Sequence, residues 1–499
     1  MRVAILELLT DAPVRSLASR LYSRYFRKQF VSIMPQAISV WCRELGHAPH
    51  YATYYGQCDP LSLVPADAEI VFIAAYTQAS ALAYALAKIL HARGITTVLG
   101  GPHAKSFPAD CLRFFDLVVK DCDKTLVSDI LRGRFTPPAI VTSGRPLTDL
   151  PSVEERMPEI SAAVFERGRP TITSLVPILS STGCPYSCDF CTDWNSRYQE
   201  MPKEKLRADL AYLATHYPDV LVGYHDPNFA VRFDQTMDVI ESIPAARRNR
   251  YIMESSLSVL KPARLHRLKA TRCIYVAPGV ESWGQYSNKA GAAGKQGLDK
   301  LNQVTEHFEA IRRFVPGLQA NFIFGTDEDC GAEPVELTKE FVRRAPFVFP
   351  SVNIPCPFGG TPLFDRMLAE GRLLRAMPFA LYYNPYLVVV LRNYEPGAYY
   401  RHLIDIAATV ASTAALAHRL FDRGPPALRL VHALRSLAVK REMNAFCVIE
   451  RKLSTDGEFR AFHEGRSESL PEWYRTVLRG RLGRYADVLS DQDLTPVLQ

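Results

Sequence analysis

Cys184, Cys188 and Cys191 stand in the run Ser181-Thr182-Gly183-Cys184-Pro185-Tyr186-Ser187-Cys188-Asp189-Phe190-Cys191, three residues apart and then two. So short a loop can gather three thiolates around one inorganic centre. Soft sulfur ligands suit zinc or an iron–sulfur cluster. A structural zinc ion ordinarily takes four protein ligands, and no nearby cysteine or histidine completes a usual spacing. Three thiolates on a [4Fe–4S] cluster would leave one iron open to a substrate or cofactor. Zinc with a distant fourth ligand, and unrelated thiols, are the alternatives. The chain has 11 cysteines, and the rest are scattered from Cys42 to Cys447, which argues for thiols or metal ligands over a disulfide scaffold.

The elements that must position this loop are strands alternating with helices. Before it, strand patterns at 3–9, 50–55, 69–75, 95–99 and 115–119 alternate with helical patterns at 32–45, 79–91 and 125–131. That order predicts a parallel, doubly wound Rossmann-like α/β sheet, whose ligands bind beyond the carboxyl ends of the strands. Gly56, Thr77, Ser80, Gly100 and Gly101 fall at those exits and are candidate ligand contacts, although Gly100-Gly101 also reads as a tight turn. No GxGxxG follows the first strand, which argues against a dinucleotide site. Prolines, among them Pro137, Pro138, Pro146, Pro151 and Pro158, mark residues 136–170 as a linker.

After the linker, strand candidates at 175–179, 220–224, 251–254, 273–278, 320–324 and 349–354 alternate with helical stretches. Six such units predict a partial (β/α)6 TIM-like barrel with its functional residues at the strands' carboxyl ends. The expected domains are thus 1–135, a linker at 136–170, a barrel over 171–375 and a mainly helical region over 376–499. Helices of that last region are expected across or under the barrel opening, with Tyr382, Tyr383 and Tyr386 nearby.

At 499 residues the chain has room for two to four domains. Its 47% hydrophobic and 22% charged residues exclude pervasive disorder. The excess of 59 Lys and Arg over 52 Asp and Glu is +7, a mild charge with no continuous basic arm, so a nucleic-acid partner is not expected. No apolar run reaches 18 residues and the start reads as a strand, so no membrane span and a cytoplasmic location are the expectations.

The CxxxCxxC spacing, with Phe190 before the last cysteine, resembles the signature of radical S-adenosylmethionine (SAM) enzymes. The chain looks especially like their branch with an N-terminal cobalamin-binding domain. Val98-Leu99-Gly100-Gly101-Pro102-His103 and Phe115–Val119 are similar to part of that domain. Asp226-Pro227-Asn228-Phe229, Gly279-Val280-Glu281-Ser282, Phe322-Ile323-Phe324-Gly325 and Pro355-Cys356-Pro357 with Gly360-Thr361-Pro362 resemble strand ends and a late turn of the barrel. The resemblance spans roughly residues 65–375. It implies a [4Fe–4S] cluster on Cys184, Cys188 and Cys191, SAM on the open iron, and an adenosyl radical that removes hydrogen from carbon. It also implies cobalamin (vitamin B12), methyl transfer to an unactivated carbon of a small biosynthetic intermediate, and an electron donor such as flavodoxin or ferredoxin. Phe190, Asp226, Glu254, Glu281, Asn321 and Thr326 become the cofactor-binding candidates.

The sequence departs from the family in three places. The Asp-x-His-x-x-Gly segment whose histidine coordinates cobalt in many members is missing, and the second strand exits into Tyr54-Tyr55-Gly56-Gln57-Cys58-Asp59-Pro60. Cobalamin held without a protein ligand, or a domain that keeps the fold without cobalamin, both fit. Phe358-Gly359 is inserted in the late turn, and Lys120-Asp121-Cys122-Asp123 replaces an acidic glycine motif. Radical cyclisation, rearrangement or oxidation is the enzymatic alternative to methylation. A non-catalytic cobalamin or cluster sensor is the alternative outside enzymes.

Overall fold

A computed structural model describes residues 1–499 except Pro146, Thr148, Ala293, Arg423 and Gln499. The first sheet contains β1 (Arg2–Leu8), β2 (Ala48–Tyr54), β3 (Ile70–Ala75), β4 (Thr96–Gly100), β5 (Leu117–Val119) and β6 (Ala139–Val141). Their order is β2-β1-β3-β4-β5-β6, and every pair is parallel. Strands covered on both faces read as continuous apolar runs, and β3, Ile-Val-Phe-Ile-Ala-Ala, is buried almost throughout. Strand order reverses at β1, so the ligand crevice of this sheet type lies where β1 and β3 end.

Residues 136–170, expected to be a linker, hold β6 and a helix over Met157–Val164. β6 is a three-residue edge strand beside Pro137-Pro138, too short to show periodicity. Pro158 lies in the first turn of its helix, where a missing N–H costs nothing. Pro146 lies outside the described residues.

The second sheet has β7 (Leu175–Ile178), then β8 (Ser181–Thr182) and β9 (Gln199–Glu200) as a separate antiparallel ribbon. It continues with β10 (Leu221–Tyr224), β11 (Arg250–Met253), β12 (Cys273–Val276), β13 (Gly279–Glu281), β14 (Gly317–Ile323) and β15 (Val348–Asn353). The parallel order is β7-β10-β11-β12-β14-β15, and β13 prolongs the line of β12 along β14. Six strand positions alternate with helices such as Lys203–His216, Phe233–Glu241, Gly297–Arg312 and Glu333–Arg344, which makes the expected partial barrel.

The C-terminal helices lie partly under the barrel, as expected, and partly elsewhere. Helix Pro396–Val410 packs on Glu333–Arg344, outside the barrel. The long helix Pro426–Thr455 runs along β15, with Arg435 over the Phe349 ring at 3.9 Å and Glu442 bonded to Asn384 beside Val352. The last residues bind the first domain instead of capping the opening: Lys88 pairs with Asp493 at 2.7 Å, and Val497 N–H donates to Asp110 at 2.9 Å. A sequence pattern gives helix faces but not the partner each face meets. The segment Pro396–Phe421 is long and apolar enough by composition to cross a membrane. It nevertheless breaks at Ala411–Ser412 and buries Tyr399, Tyr400, Leu403, Ile406 and Val410 in the fold.

One buried acid connects the first sheet to its covering segment. Glu7 on β1 accepts from Ser32 N–H at 2.6 Å and from the Tyr51 hydroxyl at 3.3 Å. Burial raises its pKa from 4.5 to about 7, against the lowering effect of those bonds. The folded chain therefore holds this proton where the unfolded chain has lost it. The contribution to stability is whole below about pH 4.5, declines as pH rises to about 7, and is constant above. Urea melts of Glu7→Gln at pH 5 and pH 8 should show a shallower loss of stability than the natural chain, by about 1–3 kcal/mol.

Candidate functional site

The cysteine loop springs from the β8–β9 ribbon at the carboxyl end of β7. Gly183 opens it at φ +66°, where a Cβ would lie 2.3 Å from the Arg197 carbonyl oxygen, so only glycine fits. Cys184 is buried, while Cys188 and Cys191 are partly open. Burial raises the Cys188 and Cys191 thiols above their usual range, and Lys289 opposes this. Burial works against the charge of Lys289 too, but Glu281 and all three thiols outweigh it and hold its pKa up. Lys289, which the sequence reading did not single out, is therefore a cation that both the three thiols and the Glu281 carboxylate favour. Nothing in the loop around it marked it.

Among the described residues, no three His, Cys, Asp or Glu side chains converge tightly enough for a single metal ion. Cys184, Cys188 and Cys191 fall under that statement too.

The candidate carboxylates differ sharply. Asp226, just past β10, is fully engaged: it accepts from Ser180 N–H at 3.0 Å and from the Ser180 and Ser181 hydroxyls at 2.6 Å each. Burial raises its pKa and these bonds lower it. Its place is to anchor the residues before the cysteines, with no oxygen left for a cofactor. Asn228, two residues on, is buried with both amide atoms unpartnered. Glu254, at the end of β11, is accessible although protein crowds around it, so it opens into the recess; burial raises its pKa and Lys289 lowers it. His225 has the same placement and is pushed down to about 4 by desolvation and by Arg156.

Glu281 ends β13 at φ +67°, a conformation L-residues rarely adopt. Its side chain folds back so far that a Cβ on Gly279 would lie 2.1 Å from its Oε1. Burial raises its pKa to about 7, with Lys289 lowering and Glu254 raising it. Ser282 donates to Asp329, which also accepts from Gly325 and Thr326 N–H at 2.9 Å each. The ends of β13 and β14 are thereby tied together, with Thr326 buried in that turn. Asn321 is spent inside the sheet, donating to Ala277 O at 3.2 Å and accepting from Gln319. Phe190 stacks on Tyr286, centroids 5.3 Å apart at 18°, a flat apolar wall beside the thiols.

The late turn and the first domain close on this loop. Trp194 Nε1 donates to Gly360 O at 2.7 Å, Leu363 N–H to Asp189 O at 3.0 Å, and Arg366 pairs with the Asp189 carboxylate at 2.9 Å. The inserted Gly359 lies against the first domain, where a Cβ would come 2.0 Å from Ser106 O. Lys105, in the helix after Gly100-Gly101, pairs with Asp193 at 3.2 Å. The β4 exit therefore abuts the cysteine loop.

At the other exits the candidates part company. Gly100 faces open space, whereas Gly101, at φ +93°, turns against the Ala75 backbone at 3.1 Å. Gly56 is pressed on Val14 and Ala12 and serves its own turn. Thr77 and Ser80 are buried where β3 leads into its helix. Among the described residues, the one histidine near these exits is His103, wholly buried with Nε2 2.6 Å from the Tyr84 hydroxyl.

No family model matches the chain. It is 24% identical over 311 residues to the bacteriochlorophyllide d C-12(1)-methyltransferase of Chlorobaculum tepidum, covering 60% of this chain and 66% of that protein, just under two thirds of its length. It is 23% identical to the C-8(2)-methyltransferase of the same organism over 397 residues, 76% of this chain and 85% of the relative. Among solved structures, the radical SAM methyltransferase TsrM from Kitasatospora setae, with cobalamin and a [4Fe–4S] cluster bound, superposes with TM-score 0.56. The identity is 14%, over 89% of this chain and 99% of that one. The cobalamin-dependent SAM radical enzyme OxsB, with aqua-cobalamin bound, gives TM-score 0.60 at 10% identity, over 99% and 82%. The structural likenesses carry the fold, from the first sheet through the barrel to the C-terminal helices. The chain thus shares its fold, a parallel α/β domain followed by a partial barrel and C-terminal helices, with these two solved structures, and is similar in sequence to the two methyltransferases.

Proposed function

We propose that this chain methylates a carbon of a small-molecule biosynthetic intermediate with a [4Fe–4S] cluster, SAM and cobalamin. One observation carries the reading: the three thiols and the Glu281 carboxylate all act on the Lys289 ammonium, Glu254 acts on Glu281, and Lys105 ties the cysteine loop at Asp193 to the β4 exit of the first sheet. The relatives named for bacteriochlorophyllide methylation, and TsrM, point the same way. When bound, the cluster supplies an electron to the sulfonium of SAM and cobalamin supplies a transferable methyl group.

The chain's own residues orient and screen. Cys184, Cys188 and Cys191 hold the cluster, and Lys289 offsets its negative charge. Glu281 and Glu254 offer acceptors for the amino group or ribose of SAM, and the Phe190–Tyr286 stack offers a flat face for adenine. Asp226 positions the loop through Ser180 and Ser181 and touches no cofactor. Gly100 leaves room for cobalamin at the first sheet, with Thr77 and Ser80 behind it. The one-electron reductant is an external donor of the flavodoxin or ferredoxin class.

Anaerobic turnover tests the reading. Methylated product together with S-adenosylhomocysteine supports transfer, whereas deoxyadenosine with no methylated product would overturn it in favour of rearrangement or oxidation. Replacing any of the three cysteines by alanine should remove bound iron and all product. Asp226→Leu should lower iron content with the cysteines intact and destabilise the fold by about 1–3 kcal/mol, because buried hydroxyl donors lose their acceptor. Since His103 is held under Tyr84, paramagnetic resonance of the Co(II) form should show no nitrogen coupling from a protein histidine.

A further inference from the structure

The C-terminal helices enclose a cluster of basic side chains whose one neighbouring acid is already paired. Arg419, in helix Thr413–Phe421, is 1% exposed. One of its nitrogens, Nη1, donates to Val410 O and to Ser436 Oγ, both at 2.7 Å. Its Nε and Nη2 are buried with no partner. Nε of Arg429 and Nε2 of His432 are likewise buried and unpartnered. All three side chains line one small cavity at the foot of the barrel, closed by Phe347 and Leu428. Its single acid, Asp422, is already joined to Arg312. Burial and, after it, Arg435, of the same sign, lower the Arg419 pKa to about 10.

A buried guanidinium with free N–H groups and no carboxylate bonded to it is unfavourable unless something negative or hydrogen-bond accepting fills the space. The cavity has room for one water-sized occupant. Sulfate or phosphate is too large, and a neutral water satisfies donors without offsetting charge. We infer that this cavity is a halide site, in which one chloride ion accepts from Arg419 Nε and Nη2, Arg429 Nε and His432 Nε2. The ion would fasten helices Thr413–Phe421 and Pro426–Thr455 to the base of the barrel. Nothing in this inference depends on the cofactors.

The test uses the full chain in sodium gluconate at fixed ionic strength, with gluconate replaced stepwise by chloride or bromide. Chloride should raise the melting temperature by about 2–3 °C and saturate, as one bound ligand does. Arg429→Gln, which leaves Arg419 in place, should raise the midpoint chloride concentration about tenfold. Crystals grown in bromide should show one anomalous peak between Arg419 and His432. Equal melting in gluconate and chloride, or a bromide map without that peak, would mean that water alone occupies the cavity and would overturn the inference.

Discussion

A buried carboxylate sets the position on which the site depends. The cysteine loop is held in place by groups other than its own sulfurs, and Asp226 does this from the neighbouring strand. Its three bonds to Ser180 and Ser181 fix the chain just before the β8–β9 ribbon. An acid so placed is favourable only while fully bonded, because each unsatisfied buried partner costs about 1–3 kcal/mol. The arrangement therefore has little tolerance, which is what a loop presenting three thiols in one orientation requires.

From that anchor the other regions converge on the loop by different means. The late turn contributes Arg366 and the Gly360 carbonyl, and the first domain contributes Lys105. The Lys105 pair is partly exposed, and pairs of that kind add little stability. Contact through Gly359 is steric: the turn can approach Ser106 only because the residue has no side chain. The inserted Phe358-Gly359, a departure from the family pattern, is thus where the barrel meets the first domain.

Much of this was legible in the sequence, for identifiable reasons. Strands covered on both faces are largely apolar, so β1, β3 and the barrel strands stood out, and the cysteine spacing is local. What escaped depends on contacts distant in sequence. β6 is three residues long and recognisable only through its pairing with β5. Lys289 gains its meaning from thiols about a hundred positions away. Asp226 was visible at a strand end, but spacing could not reveal that Ser180 and Ser181 use both of its oxygens.

The C-terminal region shows most clearly why pattern alone falls short. Its helices were evident, yet its last segment acts on the first domain. Arg481 pairs with the buried Asp11 at 2.6 Å, just beyond β1, while Arg484 and Tyr485 engage Asp59, just beyond β2. Asp11 retains an unpartnered oxygen and Arg481 an unpartnered nitrogen, so this pair adds less to stability than its short distance suggests. Its effect is geometric. The loops at the β1 and β2 exits, on one side of the crevice, are fixed by residues from the opposite end of the chain. Arg267, with Asp234, Asp238 and Glu241 around it, has more partners and positions nothing in the site. Where a charge pair sits relative to the strand exits therefore matters more to this protein than how many pairs it forms.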